Sequence, residues 1–213
     1  MGPVESLSTT IKPQPPPLIT LPSFFNAFSP ASRKRESLKA ELLELVARSS
    51  PPGNKAGAFE SKEDGDRFME IFKEELPALN PTPEPARSPL FSGEWECLWS
   101  SETEINFLVS SGLFGDKWTR TYQVIDVPGN RLENFILFEN DGGLTVGSTI
   151  IPDPQLGSKF DINFCDASLA WKGRFRLSLP PVGSGWGELL YLDDDIRLQR
   201  DIRGDMILAA RVR

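Results

Sequence analysis

From Leu90 to the C-terminus, apolar and polar residues alternate in short runs separated by turns rich in Gly, Pro, Asn and Asp, the pattern of strands with one buried face. In the clearest run Leu169, Trp171, Phe175, Leu177 and Leu179 face one way, and Lys172, Arg174, Arg176 and Ser178 face the other. Phe160, Ile162 and Phe164 oppose Asp161, Asn163 and Cys165 in the same manner. Toward the end of the chain Trp186, Glu188, Leu190 and Leu192 share one parity against Leu189 and Tyr191; Ile196, Leu198 and Arg200 then alternate with Arg197 and Gln199. Strands are predicted near residues 93–100, 105–109, 118–127, 131–139, 144–150, 158–166, 168–179, 186–192, 195–200 and 205–212. Pro128-Gly129-Asn130 and Asn140-Asp141-Gly142-Gly143 read as hairpin turns. About ten short strands at this spacing fit a sandwich or an up-and-down barrel. Closing the sheet removes its edges, and an eight-stranded barrel is wide enough for one small ligand.

Ahead of the strands the period changes. Leu38, Leu42, Leu45 and Val46 form a helical stripe over residues 33–48, stopped by Pro51-Pro52-Gly53. Phe68, Ile71, Phe72 and Leu76 form a second stripe over residues 62–76, ended by Pro77. Both helices carry many Glu residues, whereas helices lying on membranes favour Lys and Arg, so packing against the sheet is expected. Residues 1–32 hold six prolines between Pro13 and Pro30 with Ser and Thr, and no packed element is expected there. The segment lacks the continuous apolar core of a secretory signal; a plain disordered tail and an acid-poor organellar transit peptide both fit it.

Composition narrows the chemistry. No run approaches the roughly 18 apolar residues that span a bilayer. The net charge of −7 divides into +3 over residues 1–35 and −10 over the rest, which argues against a nucleic-acid surface. The chain has no His, which removes the commonest acid–base and metal-binding side chain and any Ser-His-Asp set. Cys97 and Cys165 are too few for a zinc cluster; each falls in a predicted strand, and both a buried thiol and a single bridge remain open. Asp193-Asp194-Asp195 lacks the alternate oxygens of a calcium loop and reads as a self-capping turn paired with Arg197 or Arg200. Gly183 to Gly187 lies between strands, not between a strand and a helix, so it is no phosphate loop. No catalytic residue, metal site or cofactor is assigned. What remains is aromatic: Trp95 and Trp99 share parity on the first strand, and Phe164, Trp171 and Phe175 belong to apolar-facing sets. These five rings either fill an interior or line an apolar pocket.

Three separated segments carry a resemblance. Gly93-Glu94-Trp95 opens the strand region as a G-x-W, as in lipocalin-type barrels; Leu79-Asn80-Pro81-Thr82-Pro83 precedes it; and the run Tyr191-Leu192-Asp193-Asp194-Asp195-Ile196-Arg197-Leu198-Gln199-Arg200, followed by Gly204, closes the chain. Together, over roughly residues 34–213, they resemble the fibrillin or plastid lipid-associated (PAP) family, which is lipocalin-like. The resemblance implies a mainly β fold: a lipocalin-like antiparallel barrel over 85–213, a helical segment over 33–80, and a plastid leader over 1–32. It implies structural roles for Gly93, Trp95, Tyr191, Asp193, Asp194, Arg197, Arg200 and Gly204, with an arginine packed on Trp95; Arg200 is favoured over Arg197 because it shares parity with Ile196 and Leu198. The implied function is non-enzymatic binding or organisation of hydrophobic small molecules (isoprenoid lipids, prenylquinones, carotenoids) at plastid plastoglobules or thylakoids, with Trp95, Trp99, Phe164, Trp171 and Phe175 as ligand-binding rings. The alternative is a filled barrel that serves as a scaffold for an enzyme of plastid lipid or quinone synthesis, docked through acids such as Glu41, Glu44 and Glu70. Without the leader, the expected location is the cytoplasm. Asp205-Met206-Ile207-Leu208 departs from the family pattern and leaves the subgroup open.

Overall fold

The computed structural model describes residues 29–49, 59–103, 107, 118–171, 175–180 and 183–213, with the backbone alone at Phe175. The expected leader lies outside the described residues up to residue 28. Helix α1 spans Pro30–Arg48, three residues longer at its start than the apolar stripe predicts. Ser29 accepts the Ser32 amide at 3.0 Å, and Pro30 supplies a preset φ at the first helical position. Helix α2 spans Lys62–Glu70, capped by Ser61 and carrying Glu63 and Asp64 at its positive end; it widens into a π turn over Ile71–Glu75 before Pro77. Short 3₁₀ turns at Pro77–Leu79, Pro85–Arg87 and Pro89–Phe91 lead into the sheet.

The strands are β1 Gly93–Ser100, β2 Trp118–Asp126, β3 Arg131–Phe138, β4 Gly142–Pro152, β5 Lys159–Trp171, β6 Phe175–Leu179, β7 Ser184–Leu192, β8 Ile196–Asp201 and β9 Met206–Arg211. They pair in the order β4-β3-β2-β1-β9-β8-β7-β5-β6, and β4 also pairs with β5. That last pairing closes eight strands into an antiparallel barrel, with β6 hanging outside the ring as a hairpin on β5. The β3–β4 hairpin turns through Asn140 and Asp141, both at φ 57°, the left-handed geometry that a two-residue turn requires.

Two predicted strands differ. The run 168–179 is not one strand: the chain reverses between Trp171 and Phe175, and β5 instead runs unbroken from Lys159 to Trp171. Parity alone does not reveal this, because opposite residues of a hairpin face the same side. The predicted strand 105–109 falls largely outside the described residues; Phe107 is helical and 57% exposed.

The barrel has two cores. Inside, Trp95, Ile125, Leu132, Ile150, Phe160, Leu189, Leu192, Ile207 and Ala209 pack with Phe91 and Ala86 of the 3₁₀ turns. Outside, the two helices form a collar over β1, β7, β8 and β9: Leu38, Leu42 and Leu45 of α1 and Phe68, Ile71, Phe72 and Leu76 cover Trp99, Tyr191, Ile196, Leu198, Met206 and Leu208. Arg67 ties the collar together, reaching Glu41 at 2.7 and 2.9 Å and Glu70 at 2.7 Å as well as Glu75. These pairs hold the Arg67 guanidinium charged and Glu41 below the usual carboxylate range. Among the described residues no helix is long and apolar enough to cross a membrane.

Candidate functional site

One end of the barrel is sealed around Trp95. Its indole Nε1 donates to Phe91 O at 3.0 Å, and the Arg211 guanidinium lies 4.2 Å over its ring. Arg211 also donates to the carbonyls of Ser92 at 3.0 Å and of Leu90, tying the last strand to the 3₁₀ turns. Gly93 is required here twice over. Its φ is +136°, and a Cβ would meet Arg211 Nη1 at 2.5 Å. Phe91 and Phe160 meet as tilted rings with centroids 5.0 Å apart. The nearest arginine on Trp95 is therefore Arg211, with Arg197 over the same ring at 5.4 Å; the favoured Arg200 is instead exposed and paired with Glu188 at 2.6 Å. The register brings Trp95 opposite Arg211, and that pairing is invisible without the barrel's closure.

Above this plug lies a polar layer that alternation does not predict. Arg197 is fully buried, 5.4 Å from the Trp95 ring and 5.7 Å from Phe91. Its side chain reaches from β8 across the lumen to β2, donating to Gln199 Oε1 at 2.5 Å and to Gln123 Oε1; Gln123 in turn donates to Asn134 Oδ1 at 2.6 Å. No described carboxylate lies within ion-pair reach of it, its Nε has no partner, and burial pulls its pKa down to about 9. Ser148, diagonal to Asn134 across β3 and β4, also has a buried hydroxyl without a partner. Cys97 shares this interior, and burial pushes its thiol up to about 12, so it is inert. Cys165 is exposed as the extra residue of a bulge in β5 and free, which removes both a buried thiol there and a bridge.

The inner wall then flares outward along β4, β5 and β6. Ser148 pairs with Phe164, Leu144 with Leu169, Leu169 with Leu177 and Ala167 with Leu179, so these side chains share one face. Phe164, Trp171 and Leu177 are 37–42% exposed on it. Of the five rings expected to bind ligand, Trp95 sits in the plug, Phe164 and Trp171 line the flare, and the Phe175 side chain is outside the described residues. Trp99 does not share a wall with Trp95. Leu98 is an extra residue in the pairing with β9, which turns Trp99 outward into the collar, 4.5 Å from the Phe68 ring.

The acidic corner is structural. Asp193 Oδ1 accepts the amides of Asp195 and Ile196 at 2.8 and 2.9 Å, and Oδ2 accepts the Tyr191 hydroxyl at 2.6 Å. Its cation is Lys39 of α1, at 2.7 Å from Asp193 and 2.8 Å from Asp195, rather than Arg197 or Arg200. Burial alone would raise the Asp193 pKa; Lys39, Tyr191 and the two amides outweigh it and hold the carboxyl below its ordinary range. Burial and the same carboxylate push the Tyr191 phenol well above its ordinary value. A surface cleft of about 230 Å³ beside this corner is lined by Arg35, Glu36, Lys39, Pro81, Thr82, Leu90 and the three aspartates, most of them already engaged with one another. Among the described residues no group of acids and thiols converges to hold a metal.

A closed eight-stranded meander, plugged at one end by a G-x-W tryptophan under an arginine from the last strand, defines a lipocalin-like barrel. The family model PAP_fibrillin matches residues 36–209, and the chain belongs to that family. It is also 41% identical over 123 residues to a probable plastid-lipid-associated protein 11, chloroplastic, of Arabidopsis thaliana. That match covers 56% of this chain, and the chain spans about the same share, 56%, of the relative's length. No solved structure gives a significant match.

Proposed function

We propose that this protein is a non-enzymatic, plastid-located barrel that holds an apolar small molecule, an isoprenoid lipid or prenylquinone, with one end in the flare and the other on the polar layer. The reading rests on the continuous inner face from Ser148 to Trp171 and Leu177, where apolar side chains stay half-exposed while the far end is sealed. Soluble proteins rarely leave large apolar groups clustered on one face without use for them. Burying a few hundred Å² of ligand there gives several kcal/mol at about 25 cal/mol per Å², with no reactive group needed. The relative's name, which places it in the chloroplast with plastid lipid, supports the compartment and the ligand class. Plastoglobule and thylakoid membranes are both compatible with such a cargo.

In the scaffold alternative Glu41, Glu44 and Glu70 stay at the surface, paired with Arg67 and Arg48, and reversing their charges should abolish docking while leaving ligand binding intact. Titration of the purified chain with a prenylquinone should quench tryptophan emission, and mass spectrometry of the native protein should find an apolar compound carried through purification. A flat titration together with a lipid-free preparation rejects the carrier.

A further inference from the structure

The polar layer inside the barrel is costly in the free protein. Among the described residues the fully buried Arg197 guanidinium has no carboxylate within ion-pair reach. The Trp95 and Phe91 ring faces and the more distant charge of Glu102 offset part of its burial, which still disfavours it strongly. Two neutral amides, Gln199 and Gln123, satisfy both its Nη groups, and neither supplies charge. Arg211 clamps Trp95 at 4.2 Å, and Arg197 lies farther off, 5.4 Å over the same ring and 5.7 Å over Phe91, with its Nε left to donate. Among the described residues of this inner wall, Arg197 Nε and Ser148 Oγ are left without partners, and both are able to donate.

We propose that Arg197, with Ser148, receives the acidic head of an amphipathic ligand, a long-chain carboxylate, whose tail leaves through the flare past Phe164 and Trp171. The proposal rests on the carrier reading above and specifies the chemistry of its cargo. One guanidinium balances one negative charge, and the Arg197 Nε and the Ser148 hydroxyl are both left to donate. A diphosphate head would bring surplus charge into a lumen where the described residues offer no second cation beyond Arg211, which is engaged with Trp95 and backbone carbonyls. Because charge-assisted hydrogen bonds are roughly twice as strong as neutral ones, the acid should be chosen over its uncharged ester.

The test uses the full chain, stripped of lipid, titrated with oleate, methyl oleate, a neutral prenylquinone and a prenyl diphosphate while tryptophan emission is followed. Oleate should bind about ten- to a hundredfold tighter than methyl oleate, the range expected for hydrogen bonds to a charged group. The substitution Arg197→Met should erase that preference, so that acid and ester bind alike. Should Arg197→Met fail to fold, Ser148→Ala should narrow the preference by a few-fold. Equal binding of acid and ester by the unaltered chain, or a preference for the diphosphate, overturns the carboxylate assignment and leaves the carrier intact. Binding of none of the four ligands overturns both.

Discussion

The barrel has a covered half and a bare half, and they obey the sequence differently. On β2, β3 and β4, which neither α1 nor α2 covers, apolar side chains such as Ile125, Leu132, Ile136 and Ile150 point in and their alternates point out, as simple alternation predicts. Beneath the collar, β8 is buried on both faces from Ile196 to Gln199. Its apolar parity, Ile196 and Leu198, faces the helices, while Arg197 and Gln199 face the lumen. Where both sides of a strand are covered, alternation no longer tells inside from outside, and the polar face can be the functional one.

Three substitutions test how far each half depends on its filling. Trp95→Ala removes the plug and should cost about 3–5 kcal/mol, the usual loss for truncating a large buried aromatic, measured as a shift in the urea midpoint. A loss under about 1 kcal/mol would show that the sealed end collapses freely or is not the packed base of the barrel. Lys39→Met leaves Asp193 buried without its cation, and breaking such a pair costs about 3 kcal/mol, at the low end of the range because Asp195 is partly exposed. The smaller Gly187→Ala should cost about 1–3 kcal/mol, since its Cβ would meet the buried Phe160 ring at 2.4 Å.

The same ion pair sets a pH window. Asp193 is held below its ordinary pKa, so its contribution is complete above about pH 4 and is lost as pH falls through the lowered value. Burial works against the charged Lys39, but Asp193 and Asp195 outweigh it and raise its pKa, so that contribution persists past about pH 10 and fades as pH rises further. Stability measured by urea should therefore fall below about pH 4; on the alkaline side the pair's loss adds to those of Tyr191 and Cys97, which the fold also holds protonated. In Lys39→Met both the acid and the alkaline fall should become shallower; unchanged limbs would remove the pair from the account.

How much of this was legible in the sequence follows from the same division. The G-x-W at Gly93 to Trp95, the hairpin at Asn140 and Asp141 and both helical stripes depend on local geometry, and the structure has them where the residues predict. The partners Arg211 for Trp95 and Lys39 for Asp193 depend on closure and on the collar's docking, which lie beyond any local pattern. Two bulges, at Leu98 and Leu190, each insert one residue and reverse the parity that follows. They separate Trp99 from Trp95 and place both Leu189 and Leu192 inside, though the alternation set those two leucines on opposite faces. The polar layer left no sign in the sequence: Ile196-Arg197-Leu198-Gln199 alternates as a strand with one solvated polar face does.

The smallest expected effect on stability is also the one that most sharply separates plug from mouth. Trp171 is 40% exposed at the flare, against complete burial for Trp95, so little apolar area is lost on truncating it. Trp171→Ala should move the urea midpoint by no more than about 0.5 kcal/mol, as for surface positions in general. Ligand affinity should respond far more. An indole edge that covers a tail contributes apolar contact at about 25 cal/mol per Å², so losing some 50–60 Å² of shared contact weakens binding roughly tenfold. A variant as stable as the parent that binds prenylquinone tenfold more weakly places the site in the flare. Unchanged affinity in a correctly folded Trp171→Ala protein moves the site away from β5 and β6, and with it the path for the tail.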